Sequence, residues 1–483
     1  MKDLRVASAL TLILSIGSMP SEGFAQAEPK GQGGATTEHQ HAQPAGKPAS
    51  EQRLLGGAAQ QQSSERVLTL DDLEKMALQG NPTLAQARAR VRAAAGRKLQ
   101  AGLYPNPAIG ATGDENSPGP IIRGGEFGGF VEQRFVTAGK LRLERSVAEQ
   151  EEFQAQARDD AQQYRVLNSI RMLYYQALGD QSLVQVREEL SRITREAASV
   201  TRQLLNVGQA DQPDLLAAQV EARRADVALA KAKNGRERTW RQLASMAGEA
   251  SLQPMPLKGD LESLPELELD AALAAILGES PELRTAEAEI ARNELALRRA
   301  RVEKIPDIVA RGGIRYNREL LEQGLKPVGL EGFFDVSVRI PIFNRNQGNV
   351  EAARAELDHA RLELDRVKLS LRSRLAEVYK EYQDSLALVE AYRVDVLPPA
   401  QEAYDLYLTS FRQMAAAYPQ VLIAQRNLFE LREDYIEALV NVQRGAVEIR
   451  GLLLTGGLQP GGGGSERIAP ADRVAGGMEA DEE

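Results

Sequence analysis

The chain repeats itself once, so whatever it folds into must be built twice. Leu70-Asp71 returns as Leu269-Asp270, and Asn81-Pro82-Thr83-Leu84 as Ser280-Pro281-Glu282-Leu283, both 199 residues further on. Tyr104-Pro105 returns as Ile305-Pro306 after 201 residues, and residues 213–219 (PDLLAAQ) return as 419–425 (PQVLIAQ) after 206. The order is kept while the spacing drifts, as small loop insertions between two copies of one unit produce. This sets repeat one at 66–250 and repeat two at 269–455. The stretch between them, 251–268, holds Pro254, Pro256 and Pro265 and reads as a linker.

Both repeats follow one plan: a short helix, a second helix, two strands, then a very long helical hairpin. Asn81-Pro82 and Ser280-Pro281 break the first helix and start the next. In repeat two, Phe334, Val336, Val338, Ile340 and Ile342 alternate with Asp335, Ser337 and Arg339, a period of two that predicts a strand with one apolar face. Residues 307–316 form its expected partner, with Ile308, Ala310, Gly312, Ile314 and Tyr316 on one face. Repeat one offers 108–114 and 125–137, where Gly129, Val131, Gln133 and Phe135 alternate more weakly. Four strands of this length cannot close a barrel alone, so closure requires further copies.

The helices that follow are long. Residues 140–207 contain one Gly (Gly179) and no Pro, which predicts about 100 Å of unbroken helix. Residues 349–397 contain neither, and Val350, Leu357, Leu364, Leu371 and Val378 recur there every seven residues, with Ala353, Ala360 and Val367 as a second row. That is a coiled-coil seam with small residues for close approach. Pro398-Pro399 is expected to bend or break the helix, with reversals near 208–213 and 415–419. The fold class is therefore mainly α with a small β part.

Composition removes several function classes. The chain has no Cys and three His (His39, His41, His359) among 483 residues, which excludes disulfide scaffolds, thiolate chemistry and a multi-histidine metal centre. A net charge of −9 opposes general nucleic-acid binding. No catalytic constellation stands out, no cofactor is implied, and the expectation is a protein that is not an enzyme. At the N-terminus Lys2, Arg5, an apolar run and Ala25-Gln26-Ala27 read as a signal peptide, 1–27. Residues 28–65 and 456–483, rich in Gly, Gln and Ser or in Gly and acid, read as a disordered leader and tail. No later run is long and apolar enough for a membrane-spanning helix, which leaves a periplasmic or secreted protein or an outer-membrane β-barrel.

Several of these features together resemble the TolC-like outer-membrane efflux family. They are the repeated Leu-Asp…Asn/Ser-Pro-x-Leu starts, Tyr104-Pro105-Asn106-Pro107, Arg339-Ile340-Pro341-Ile342-Phe343, and the paired segments 214–219 and 421–425. The resemblance spans about 68–458. Residues 340–348 (IPIFNRNQG) are most similar to the CzcC-like heavy-metal efflux branch. The resemblance implies a homotrimer whose chains each give four strands to a twelve-stranded barrel in outer-membrane lipid. Below it the helical hairpins form a periplasmic α-barrel that meets an adaptor protein and an inner-membrane efflux pump. The implied function is a passive exit duct, here for divalent metal ions. Alternatives are a drug or protein export duct of the same fold, or a periplasmic coiled-coil scaffold without a pore.

Well-known members of that family carry acidic residues near the tip of the second hairpin. The matching positions here read Gln420 and Ile423, while the first hairpin offers Asp211 and Asp214. These four are the pore-tip candidates. An Asp ring would attract cations; the same two Asp beside Pro213 also suit ordinary helix capping.

Overall fold

The structure, a computed structural model, describes residues 67–114, 125–320, 326–413 and 418–459. The expected signal peptide, the leader and residues 460–483 of the expected tail lie outside the described residues. Two short helices open each half. Thr69 caps α1 (Leu70–Gly80): its hydroxyl accepts the Asp72 N–H, and the Asp72 carboxylate accepts the Thr69 N–H, a capping box. Asn81 then caps α2 (Pro82–Ala101), with its Oδ1 2.9 Å from the Thr83 N and Pro82 in the first turn, where a missing N–H costs nothing.

β1 (Ala108–Asp114) and β2 (Glu126–Phe135) follow, then α3 (Lys140–Asn206) and α4 (Gln212–Met246). The second half repeats the order. α5 (Leu269–Glu279) leads to α6 (Pro281–Val302), capped by Ser280 as Asn81 caps α2. β3 (Ile308–Leu320) and β4 (Pro327–Val338) come next, then α7 (Gln347–Ala391), α8 (Leu397–Arg412) and α9 (Tyr418–Arg450). The four strands form one antiparallel sheet in the order β1-β2-β3-β4, so β2 and β3 join the two halves.

The last strand ends earlier than its sequence pattern predicts. Ile340 and Ile342 continue the alternation but lie beyond β4, which stops at Val338. Val338 pairs with Ile308, the first residue of β3, so the ladder has no β3 residue left to pair with 339 onward. Pro341 also has no N–H to give a ladder. Residues 339–346 instead turn the chain into α7. Asn346 adopts φ +64° there, as Gly139 (φ +65°) does before α3, so both halves swing from strand to long helix through a left-handed residue. The polar run 344–347 stitches this turn: Asn344 Oδ1 accepts the Asn346 N–H at 3.0 Å, and Asn346 Nδ2 donates to the Ala300 carbonyl at 2.9 Å.

The long helices lie side by side. α3 packs against α2, α4, α6 and α9, and α7 against α6 and α9. At 67 residues, α3 is about 100 Å long. The heptad row on α7 points inward: Leu357 and Leu371 are buried, Leu364 and Val378 pack against the main core, and Ala353 and Ala360 are buried beside them. Pro398 and Pro399 cannot donate to the preceding turn, and the helix absorbs this as a π turn at Tyr392–Val396 before resuming as α8. The first reversal, at 207–211, uses Gly208 at φ +72°. Of the second expected reversal, 415–419, residues 415–417 lie outside the described residues; α8 ends at Arg412 and α9 begins at Tyr418.

This packing makes the seam testable. Leu371 is fully buried, so Leu371→Ala should cost about 2–5 kcal/mol. Lys380→Ala, on the exposed face, should leave the melting temperature almost unchanged. Thermal unfolding followed by circular dichroism at 222 nm compares the two.

Candidate duct: a two-faced sheet, its junction and the helical tip

The register sorts the sheet into two faces. One face carries Ile109, Phe127, Val131, Phe135, Ile308, Ile314, Tyr316, Leu330, Phe334, Val336 and Val338. All of these are exposed, Phe334 to 73%. Gln133 is the polar exception, and its amide donates to the Pro105 and Arg134 carbonyls. The opposite face carries Asp114, Glu126, Glu132, Arg311, Arg315, Glu331 and Asp335, with Phe130 and Phe333 between them. Such an apolar sheet face is stable only against another apolar phase, and the charged face only against water. This is the division a lipid-embedded barrel wall requires.

The sheet meets the helices at one carboxylate. Asp307, one residue before β3, is 8% exposed and receives Lys140 Nζ at 2.8 Å, Arg134 Nε at 2.9 Å and the Thr137 N–H at 3.1 Å. Thr137 Oγ1 also donates to the Pro306 carbonyl at 2.7 Å. The end of β2, the start of α3 and the start of β3 are thus pinned to one group. Burial pushes the Asp307 pKa up, but the hydrogen bonds from Lys140, Thr137 and Arg134 outweigh it and hold the carboxyl at about 2. Nothing local in the sequence marks Asp307; its partners lie some 170 residues away.

At the far end of the helices the tip candidates are placed as follows. Asp211 occupies the N-cap position of α4 at φ −97°, ψ 158°, but its side chain makes no capping hydrogen bond; only its carbonyl accepts the Asp214 and Leu215 N–H groups. Asp214 is half-buried in the first turn. Gln420 and Ile423 sit on the exposed side of α9, Ile423 being 68% exposed. The other side of that turn enters a small core of Ala218, Tyr404, Tyr418, Val421 and Leu428, which brings the two hairpin tips together. Burial pushes the Tyr418 phenol up to about 12, helped by Glu221, Tyr404 and Asp214, so Asp214 and the second tip share one electrostatic environment. Arg426 on α9 bonds Glu221 on α4 at 2.8 Å, a second link between the tips. Among the described residues, no group of three or more His, Asp or Glu is placed to hold a metal ion.

A long helical shaft and a sheet apolar on one side and charged on the other define a class: a channel wall. The family described as "Outer membrane efflux protein" matches residues 73–249 and 272–453, once in each half. The chain belongs to the outer membrane efflux protein family; such channels are not enzymes. It is 25% identical over 386 residues to the cobalt-zinc-cadmium resistance protein CzcC of Cupriavidus metallidurans, covering 80% of this chain and 90% of that protein. Its fold is that of CusC (TM-score 0.69, 18% identity, 80% of this chain and 92% of the other). The outer membrane protein VceC from Vibrio cholerae shares it as well (TM-score 0.66, 17% identity, 80% and 96%).

Asp307 generates an acid-stability prediction. Its folded pKa of about 2 lies below its ordinary 3.8, so its contribution is present above about pH 4 and lost as pH falls towards 2. Asp307→Asn leaves Lys140, 3% exposed, without its nearest carboxylate, and should cost about 3–5 kcal/mol at pH 7. The gap between the two proteins should narrow from pH 4 to pH 2, measured by thermal unfolding in detergent. Equal melting temperatures at pH 7 would contradict the assignment.

Proposed function

We propose that this chain is the outer-membrane exit duct of a tripartite system that expels divalent heavy-metal ions. The observation that carries the cargo is the similarity to a cobalt-zinc-cadmium resistance protein along 80% of this chain and 90% of the relative. In this reading residues 1–27 direct export and are removed, 28–65 are the leader, 251–268 link the two repeats and 456–483 are the tail, whose first residues are tied to the body through Gly457. Three chains close the barrel: β1 and β4 are open edges, and four strands from each of three copies give a twelve-stranded wall of ordinary barrel size. The helical shaft extends into the periplasm and meets an adaptor protein and an inner-membrane pump, which supplies the energy. The duct itself is passive and needs no cofactor.

At the periplasmic tip, Asp211 and Asp214 provide negative charge, and threefold repetition concentrates it. The uncapped side chain of Asp211 supports a role other than holding the helix start. Gln420 and Ile423 leave the second hairpin uncharged at the matching positions.

A strain lacking the protein should become sensitive to cobalt, zinc or cadmium while keeping its tolerance of bulky drugs. Replacing Asp211 and Asp214 with Asn should leave the fold intact and lower cation conductance in planar bilayers, more so at low salt, where screening is weaker. Sensitivity to dyes and detergents with indifference to every metal would reject the metal assignment and leave the duct standing.

A further inference from the structure

The inward rows of the sheet can be read off level by level, starting just beyond the Arg134, Val309 and Ser337 level at the helical end, where Arg134 is bonded to Asp307. Ala108, Glu132, Arg311 and Asp335 stand opposite one another; then Gly110, Phe130, Gly313 and Phe333; then Thr112, Gly128, Arg315 and Glu331; then Asp114, Glu126, Asn317 and Gly329. The charges in these four rows are five carboxylates and two guanidiniums, a net of −3 per chain among the described residues. Arg315 is committed to its own neighbours: it pairs with Glu126 and lies 3.3 Å from Glu331. The row through Arg311 is different. Two carboxylates, Glu132 and Asp335, flank a single guanidinium whose described contacts are aromatic.

Arg311 is held in place by ring stacking. Its guanidinium carbon lies 3.8 Å from the centre of the Phe130 ring and 5.8 Å from that of Phe333, and its Nε is buried without a hydrogen-bond partner. The rings are fixed in turn by glycines. A Cβ at Gly110 would come 2.5 Å from Phe130 Cζ, and one at Gly313 2.8 Å from Phe333 Cε1, so the tip of each ring occupies the space over a residue that has no side chain. The positive charge is thus clamped to the wall between two carboxylates and does not sweep through the lumen.

We propose that the Glu132–Arg311–Asp335 row is an ion-preference filter inside the barrel, separate from the tip, with Arg311 as the residue that moderates it. This rests on the duct reading above. With several copies around the barrel, each removed or added charge is repeated at one height of a water-filled tube with a low-dielectric wall, where fields are focused. As built, the row carries one negative charge in excess per chain, which favours cations without the deep trap that six uncompensated carboxylates at one level would form. Arg311 keeps the row attractive enough for a cation to enter and weak enough for it to leave.

The test uses the full-length protein in planar bilayers, with the reversal potential read across a tenfold KCl gradient. Wild type should prefer potassium over chloride. Arg311→Gln should raise the permeability ratio about twofold or more, and the double variant Glu132→Gln, Asp335→Asn should lower it by a similar factor, with both shifts growing as salt is reduced. Arg311→Lys keeps the charge and should keep the wild-type ratio. If Arg311→Gln does not assemble, the carboxylate pair alone decides. Channels of normal conductance whose ratio is the same in every variant would overturn this proposal and leave the duct reading intact. Absence of any wild-type channel would overturn both.

Discussion

A sheet with one apolar and one charged face can be stable in few places, and the rest of this protein is organised around that limit. The apolar row from Ile308 to Tyr316 and the charged row through Arg311 and Arg315 come from the same strand, because successive side chains point to opposite sides. Neither row can be turned to suit the other. Lipid on one side and water on the other satisfies both, and the four-stranded sheet has open edges at β1 and β4, where further strands are needed to close such a wall. The helices then leave the sheet at one end, since both halves exit through a left-handed residue, Gly139 or Asn346, directly into a long helix.

The junction where sheet becomes shaft is held by a buried charge cluster, Asp307 with Lys140 and Arg134. Asp307 gathers Arg134, Thr137 and Lys140, so a displacement of α3 has to break several hydrogen bonds at once. Below it the shaft relies on apolar seams, with the row through Leu357 and Leu371 and the core around Tyr382, Val442 and Leu454. Towards the tip the main core gives way to a small one around Tyr418, supplemented by ion pairs such as Arg426 with Glu221 and Arg432 with Glu189. The apolar core is thus largest midway along the shaft and smaller towards both the sheet and the tip, so local opening should be easiest at the ends.

Much of this was legible in the sequence because it is periodic. The alternation at 308–316 and 334–338 and the heptad row on α7 are local patterns, and they placed the strands, the long helices and the inward seam close to where they lie. The Asn81-Pro82 and Ser280-Pro281 signals marked two helix starts. What sequence reasoning missed depends on distant residues meeting. Ile340 and Ile342 extend an alternation, but a strand also needs a partner, and β3 begins too late to supply one. Asp307 reads as an ordinary strand start until Lys140 is beside it. The stacking of Arg311 on Phe130 depends on the β2–β3 register, which fixes Phe130 opposite Gly313. At the tip, Asp211 suits a cap by type and position, yet its side chain is left uncapping, a choice made by local geometry that composition does not show.

The central claim is that one face of the sheet meets lipid and the other meets water, and the absence of any native cysteine makes this directly measurable. Single cysteines placed in turn from Ile308 to Tyr316, each carrying a nitroxide label, can be scanned in liposomes. Relaxation by oxygen reports lipid and relaxation by a water-soluble nickel chelate reports water. Labels at Ile308, Ala310, Gly312, Ile314 and Tyr316 should be oxygen-accessible, and those at Val309, Arg311 and Arg315 chelate-accessible, in strict alternation; Gly313 is left out, because a Cβ there would meet the Gly129 carbonyl. Equal access of the chelate to both sets, or the absence of a two-residue period, would contradict the account.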